Sequence, residues 1–298
     1  MHKLTSFILA GLLALCVALP VQAKGDEASN RVVEVKTAHE LIAAIASNTT
    51  IKLAPGRYVL SDAVKGAVNA NNGTSCMEKA DGPQLDITGV RNLTIEGGDN
   101  VAEYQVVTGT TYAEVMNFSE CEGIKLVGLT MGYTQPGEGS GNVLHCTGCQ
   151  NIEIENCDLY GSGLYGIVAE FVQGLKMTGG TIRDCSAYLK LADIKGASFT
   201  GVLMARKNDE TSGAAIYLSE GMNAPVADVV FDRVNFVSDG SHEKSLLFTG
   251  TCGEGFTVKN CTSRGVNGKE IPLDLGTNLS PKQIDGLGFN GEIIKTTR

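Results

Sequence analysis

Residues 151–159 read Asn-Ile-Glu-Ile-Glu-Asn-Cys-Asp-Leu, and the pattern in these nine residues decides the fold. The second and fourth residues are apolar and the third and fifth are polar, which is the two-residue period of a strand that buries one face. The sixth residue is Asn156, and asparagine, like glycine, enters the left-handed backbone region at little cost. The stretch therefore predicts a strand, a tight left-handed corner and a second short strand.

Seven copies of this pattern occur along the chain. They begin at Asn92, Gly123, Asn151, Gly174, Gly196, Asp228 and Gly255, and successive starts are 31, 28, 23, 22, 32 and 27 residues apart. The sixth residue is Gly or Asn in every copy except one, where it is Arg233. A fixed pattern at variable spacing is typical of stacked coils in which one loop per coil varies in length. We therefore predict an all-β parallel solenoid in which the fourth residues of the copies stack inward in one column.

The first 23 residues have the features of a signal peptide. Lys3 precedes an apolar run over residues 7–21, and residues 21–23 read Val-Gln-Ala, a small-residue cleavage signature. We expect residues 1–23 to be removed and residues 24–298 to form a single domain that is secreted or periplasmic. Because no later segment is long and apolar enough to span a bilayer, we expect no membrane insertion after cleavage.

The charge of the chain limits its partners. The 298 residues carry 24 Lys and Arg against 33 Asp and Glu, a formal net charge of -9 at pH 7. Nucleic acids and anionic membranes bind best to basic surfaces, and this chain is acidic, so we expect no nucleic acid partner. The pair Cys146-Thr-Gly-Cys149 has metal-ligand spacing, but no second such pair follows, so we expect no metal and no cofactor.

Two cysteines occupy equivalent positions in successive coils. Cys121 and Cys149 each stand two residues before a copy of the pattern, which predicts vertical neighbours about 4.8 Å apart at the backbone. An exported protein can form a disulfide at that distance. Two stacked buried thiols that pack as small hydrophobes are the alternative.

The segment before the first copy carries a resemblance to a known family. Thr37-Ala-His-Glu40 forms a capping box ahead of a short helix that reaches Ile45, and a strand then leads into Pro55-Gly56-Arg57-Tyr58. With this start and its seven copies, the chain resembles the pectin-lyase-like superfamily over roughly residues 31–265. The resemblance implies a right-handed parallel β-helix with an N-terminal capping helix. It also implies that each copy contributes the second and third sheets, while the stretch before each copy contributes the first.

In enzymes of this family the outward face of the first sheet and its loops bind the polysaccharide, so the resemblance implies a polysaccharide or glycan partner. The stretches MNFS, LHCT, IVAE and LKLA begin at Met116, Leu144, Ile167 and Leu189, and they place Asn117, His145, Val168 and Lys190 in one outward row with Glu170 beside it. If the protein is an enzyme, we expect a polysaccharide lyase or epimerase that acts on a uronate-containing polymer through Lys190, His145 and Glu170. A plain surface ion pair between Lys190 and Glu170 is the alternative.

Asn117, Tyr133, Tyr165 and Arg206 are the candidate substrate-binding residues. Tyrosine rings suit the apolar faces of sugars, although Tyr-Gly pairs are also ordinary turn residues. The acidic motifs of pectate lyases and polygalacturonases do not occur in the chain. The sequence thus predicts an exported β-helix protein that binds or processes polysaccharide, with a non-catalytic structural or cell-envelope protein as the alternative.

Overall fold

The computed structural model describes residues 30–136, 140–205, 215–219, 226–238, 245–246, 248–250, 254–265, 273–274 and 293–294. This part of the chain is predominantly strand, with helices α1 (Ala38–Ala44) and α2 (Leu60–Ala67) and two single-turn 3-10 helices at Ala70–Asn72 and Val101–Glu103. The strands are β1 (Arg31–Val35), β2 (Thr49–Leu53), β3 (Gly56–Val59), β4 (Thr74–Lys79), β5 (Gly82–Thr88), β6 (Arg91–Glu96), β7 (Tyr104–Thr108), β8 (Met116–Ser119), β9 (Glu122–Val127), β10 (Thr130–Tyr133), β11 (Leu144–Thr147), β12 (Gln150–Glu155), β13 (Asp158–Tyr160), β14 (Tyr165–Glu170), β15 (Gln173–Thr178), β16 (Thr181–Arg183), β17 (Ala187–Ala192), β18 (Lys195–Thr200), β19 (Leu203–Ala205), β20 (Ile216–Ser219), β21 (Ala227–Asp232), β22 (Asn235–Ser238), β23 (Ser245–Leu246), β24 (Phe248–Gly250), β25 (Thr257–Lys259), β26 (Thr262–Gly265), β27 (Leu273–Asp274) and β28 (Ile293–Ile294).

Three long sheets hold most of these strands. The first sheet has the order β24-β20-β17-β14-β11-β8-β5-β4, the second β1-β2-β6-β9-β12-β15-β18-β21-β25, and the third β26-β22-β19-β16-β13-β10-β7-β3. From β5 to β22 the chain enters the first, second and third sheets in strict rotation, and β24, β25 and β26 repeat that rotation. Neighbouring strands pair in parallel, except that β4 and β5 form an antiparallel hairpin. This topology is consistent with an all-β parallel solenoid.

The predicted inward column is confirmed. Its members are partners on successive strands of the second sheet and are at most 1% exposed: Ile95, Leu126, Ile154, Met177, Phe199, Phe231 and Val258. Six of the seven copies also divide as expected, as in the copy at Asn151, where β12 belongs to the second sheet and β13, after the corner at Asn156, belongs to the third. The first copy differs, because its third-sheet strand β7 begins only at Tyr104, beyond the nine residues of the copy. The two-residue period alone was enough to predict this register.

Left-handed residues form the corners between the second and third sheets. The backbone φ angle lies between 49° and 65° at the sixth position of six copies, namely at Gly128, Asn156, Gly179, Gly201, Arg233 and Asn260. Arg233 therefore adopts the same left-handed conformation as the glycines at this position. Gly97, in the first copy, is the one sixth-position residue that is not left-handed. The first residue of every copy is left-handed as well, from Asn92 to Gly255, which explains why Gly, Asn and Asp recur there.

Cys121 and Cys149 are vertical neighbours, as predicted. The amide of Gln150 donates to the carbonyl of Cys121 at 2.8 Å, and the two thiols are close enough for Cys149 to shift the pKa of Cys121. Val90 and Val172 occupy the equivalent positions in the coils on either side. The seven cysteines in the described part of the chain are free thiols, so the structure supports the stacked-thiol alternative rather than the disulfide. That contact with Cys149, together with burial, raises the pKa of Cys121.

The capping box begins helix α1 as predicted. The hydroxyl of Thr37 accepts the amide of Glu40 at 3.1 Å, and the Glu40 carboxylate accepts the amide of Thr37 at 3.2 Å. The Tyr58 ring is fully buried, and its hydroxyl donates to the carbonyls of Val35 and Ala54. Helix α2 was not predicted. Within the described ranges, neither helix has the length and apolar character needed to cross a bilayer.

Phenylalanines fill the core of the C-terminal coils. The Phe231 ring stacks on Phe199 with centroids 5.0 Å apart, and it also lies 5.4 Å from Phe248, 6.0 Å from Phe256 and 6.3 Å from Phe236. Aromatic pairs at these distances add favourable energy beyond the apolar area that they bury. Phe231 is therefore the centre of this part of the core.

Candidate functional site

The outward side of the first sheet carries the candidate residues in two rows, together called the first-sheet face. The longer row follows successive strands from β5 to β20 and consists of Asp86, Asn117, His145, Val168, Lys190 and Tyr217. The row beside it consists of Ser119, Thr147, Glu170 and Ala192. Parallel strands lie about 4.8 Å apart, so every residue in a row is within side-chain reach of the next.

Charged side chains meet at the centre of the first-sheet face. The two imidazole nitrogens of His145 face opposite carboxylates: Nδ1 lies 3.7 Å from Glu114 Oε1, and Nε2 lies 3.7 Å from Glu170 Oε2. Lys190 Nζ donates to Glu170 Oε1 at 2.7 Å. Glu170 thus contacts both of the other residues that the sequence placed together.

Both carboxylates are held in their ionised form. Burial opposes ionisation of Glu170 and is the largest single influence, but the hydrogen bond and charge of Lys190, together with His145, outweigh it and lower the pKa of Glu170 below its ordinary value. Burial opposes ionisation of Glu114 as well, and there the His145 imidazole, 3.7 Å from Oε1, and the charge of Lys79, whose Nζ lies 3.6 Å from Oε2, lower the pKa. A general acid needs the opposite shift, so neither carboxylate is prepared to donate a proton at neutral pH.

A buried amide and carboxylate network continues the face toward β4. Gln84 is 2% exposed and Asp86 8%, although both belong to the outward side of the sheet. Gln84 Nε2 and Asn117 Nδ2 donate to Asp86 Oδ1 at 2.6 and 2.8 Å, and the amide of Glu114 donates to Gln84 Oε1 at 3.0 Å. Burial of polar groups is costly unless they are hydrogen-bonded, so this network fixes the side chains around Asn117.

An aromatic pair lies at the other end of the face. The Tyr165 and Tyr217 rings meet edge to face with centroids 5.5 Å apart, and both rings are half-buried. Tyr217 is the direct strand partner of Lys190. Tyr165 was predicted from the sequence, whereas Tyr217 was not.

The structure corrects the prediction for Tyr133, which is 1% exposed and belongs to the core. Its hydroxyl donates to the backbone carbonyls of Ala113 and Asn142, both at 2.8 Å. The reason is that β10 extends through Tyr133, two residues beyond the inward residue Met131, so the ring points into the core. A Tyr133 ring in this position cannot stack on a sugar. Arg206 lies outside the described residues.

Asp86, Tyr217 and Glu114 are among the residues of the face that were not predicted from the sequence, and they were missed for two different reasons. Asp86 and Tyr217 lie in Leu-Asp-Ile-Thr and Ile-Tyr-Leu-Ser stretches that fit the same alignment, one coil before and one after the four stretches used. Glu114 precedes its strand and comes beside His145 only through the stacking of coils. Extension of the alignment would have found the first two residues but not Glu114.

The chain matches no protein-family model, and no curated protein and no solved structure is significantly similar to it. Across the described residues, no group of three or more His, Cys, Asp or Glu side chains is arranged to hold a metal ion. The chemistry of the face must therefore be argued from its own side chains. These offer hydrogen-bond acceptors, paired cations and two tyrosine rings on a flat parallel surface, and such a surface can bind a hydroxyl-rich chain.

Proposed function

We propose that this protein is an exported glycan-binding protein that holds a polysaccharide along the first-sheet face. The observation that carries the proposal is the edge-to-face pair of Tyr165 and Tyr217 at one end of a hydrogen-bonded polar row. Sugars combine apolar ring faces with dense hydroxyl groups, so a site for them needs both aromatic rings and fixed polar groups.

The sequence supports the rest of the proposal. We infer a right-handed coil of the pectin-lyase-like type, because parallel crossovers are nearly always right-handed and the start of the chain resembles that superfamily. We also infer that residues 1–23 are a signal peptide and that residues 24–298 act in the periplasm or outside the cell. Asn117, Lys190 and Arg206 are the polar groups proposed to contact the glycan.

Binding of the mature protein to defined oligosaccharides tests the proposal. Isothermal titration with neutral and acidic tetrasaccharides should identify at least one ligand. Tyr217→Ala should weaken its binding about five- to tenfold, since one aromatic contact contributes about 1 kcal/mol.

Tyr160→Ala is the matched control, because it removes the same ring from the outward side of the third sheet, where the Arg183 guanidinium covers it at 4.7 Å. If Tyr217→Ala and Tyr160→Ala lose the same amount of oligosaccharide affinity, the first-sheet face is not the binding site. If no tetrasaccharide binds, the structural or cell-envelope role becomes the better explanation.

The position of His145 between two carboxylates favours a second candidate, a lyase or epimerase that acts on a uronate-containing polymer. His145 would remove the proton beside the uronate carboxylate, Glu170 would stabilise the imidazolium, and Lys190 would face the substrate charge. In a lyase the glycosidic C–O bond would then break and the imidazolium would return the proton to the leaving oxygen, whereas in an epimerase a solvent proton would be added to the opposite face of the same carbon. Ultraviolet absorbance of unsaturated chain ends detects a lyase, and exchange of deuterium from solvent into the polymer detects an epimerase. His145→Ala and Lys190→Ala should each abolish such a signal.

A further inference from the structure

Two polar residues at the entry to the first-sheet face occupy equivalent positions in successive coils. Glu114 and Asn142 each lie two residues before a strand partner, Met116 in one coil and Leu144 in the next. Asn142 Nδ2 donates to Glu114 Oε1 at 3.4 Å. Together they form a pair of side chains beside His145, called here the entry pair.

Each member of the entry pair has a buried acceptor atom that receives no hydrogen bond among the described residues, and for Glu114 Oε2 the Lys79 ammonium lies 3.6 Å away, beyond hydrogen-bond distance. The other acceptor atom is Asn142 Oδ1, and Asn142 as a whole is 8% exposed. Unpaired buried acceptors cost free energy, and native proteins retain few of them. Both atoms accept, so the group that would satisfy them must donate.

The backbone holds the entry pair in a fixed place. The carbonyl of Asn142 accepts the hydroxyl of Tyr133 at 2.8 Å, and the carbonyl of the preceding Gly141 accepts the hydroxyl of Ser162 at 2.7 Å. The amide of Glu114 is bonded to Gln84. The acceptors are thus preorganised, which is what a specific binding site requires.

The charges around the entry pair disfavour an anionic ligand. The described face contains the carboxylates of Asp86, Glu114 and Glu170, and its two lysines are already paired, Lys79 with Glu114 and Lys190 with Glu170. A uronate bound here would lie near three carboxylates. Among the described residues of this face, both lysines are already paired with glutamates, so neither is free to neutralise the charge of the uronate. A cationic sugar would in turn face the ammonium of Lys79 beside Glu114 Oε2.

We propose that the ligand of the first-sheet face is a neutral, hydroxyl-rich glycan whose hydroxyl groups donate to Glu114 Oε2 and Asn142 Oδ1. This inference rests on the proposed glycan-binding function and names the substrate class of that site. The entry pair orients the sugar at one end of the face, and the tyrosine pair contacts it at the other.

Titration of the mature protein with two matched sets of tetrasaccharides tests the inference. The neutral set is cellotetraose, mannotetraose, xylotetraose and galactotetraose, and the acidic set is tetragalacturonate, tetramannuronate and tetraguluronate. We expect a neutral member to bind about tenfold or more tightly than any acidic member. Glu114→Gln replaces one carboxylate oxygen by a donor and should weaken that binding about tenfold or more.

Asn142→Leu provides an independent variant that removes the second acceptor, and Glu153→Gln on the second sheet is the matched control. If a neutral tetrasaccharide binds Glu114→Gln and Asn142→Leu as tightly as it binds the unmodified protein, the inference is wrong. Tighter binding of an acidic tetrasaccharide that still depends on Tyr217 also overturns it, but leaves the proposed function intact. If no member of either set binds, the proposed function fails and the inference fails with it.

Discussion

A single backbone torsion angle decides which residues the corners between the second and third sheets accept. Gly201 has a φ of 65°, and a Cβ atom added there would meet nothing within 4 Å. The cost of a side chain at this corner is therefore conformational and not steric. Gly128 has nearly the same φ, but its added Cβ would lie 2.6 Å from the carbonyl oxygen of Gly98.

We predict that Gly201→Ala lowers the free energy of unfolding by about 1–2 kcal/mol, the cost of an L-residue in the left-handed region. Gly201→Asn should cost less, because asparagine enters this region more easily. Denaturant unfolding of the variants measures both effects. Gly56→Ala is the control, since Gly56 is not left-handed and its added Cβ would make only ordinary contacts at 3.9 Å. Equal losses for Gly201→Ala and Gly56→Ala would contradict the explanation.

Local sequence predicted the residues whose placement depends on local geometry. The inward column follows from alternation within each copy, and the capping box of α1 involves only neighbours in the chain. Tyr133 was misplaced because a tyrosine followed by a Pro-Gly loop resembles a turn residue, whereas β10 extends far enough to bury it. The length of a strand depends on pairing with its neighbours, and the chain alone does not record it.

The strands of the first sheet bring charged side chains from different coils into contact, and together these side chains form one electrostatic unit. Glu170 on β14 contacts His145 on β11 and Lys190 on β17, so three coils contribute to it. Glu114 adds a fourth member from the segment before β8. This unit could be predicted only in part, because Glu114 lies outside the repeated pattern and enters through coil stacking.

Acid should weaken the fold partly through Glu170. Burial raises its pKa, but the hydrogen bond and charge of Lys190, together with His145, outweigh burial and lower the pKa in the folded state. Its stabilising contribution is therefore complete above the ordinary glutamate pKa and is lost as the pH falls through the lowered folded pKa. We predict that the denaturation midpoint of Glu170→Gln falls less than that of the unmodified protein between about pH 7 and about pH 3. Identical pH dependence in the two proteins would contradict this account, and Glu153→Gln controls for the loss of a carboxylate elsewhere.

Stability in the whole molecule should be distributed along the axis of the coils. Each coil packs mainly on its neighbours, so damage in one place should remain local. We predict that Phe231→Ala costs about 3–5 kcal/mol, as expected for a buried phenylalanine. Hydrogen exchange should accelerate in β18, β21 and β25 and stay unchanged in β6 and β9. Phe171→Ala, at a side chain that is 47% exposed, should cost much less. Uniform acceleration along the chain would show that the coils unfold together.

The antiparallel strand β4 has a consequence for concentrated solutions of this protein. Stacked parallel coils present complementary ladders at their two ends, so separate molecules could join head to tail into a filament. In the first sheet, a strand of the second molecule would have to pair with the edge strand β4. This strand runs antiparallel to its neighbour β5. Glu78 and Lys79 add charge along the same edge, and Lys65 pairs with Glu78 at 2.8 Å. The hairpin therefore disfavours extension of the parallel first sheet by a second molecule at this end.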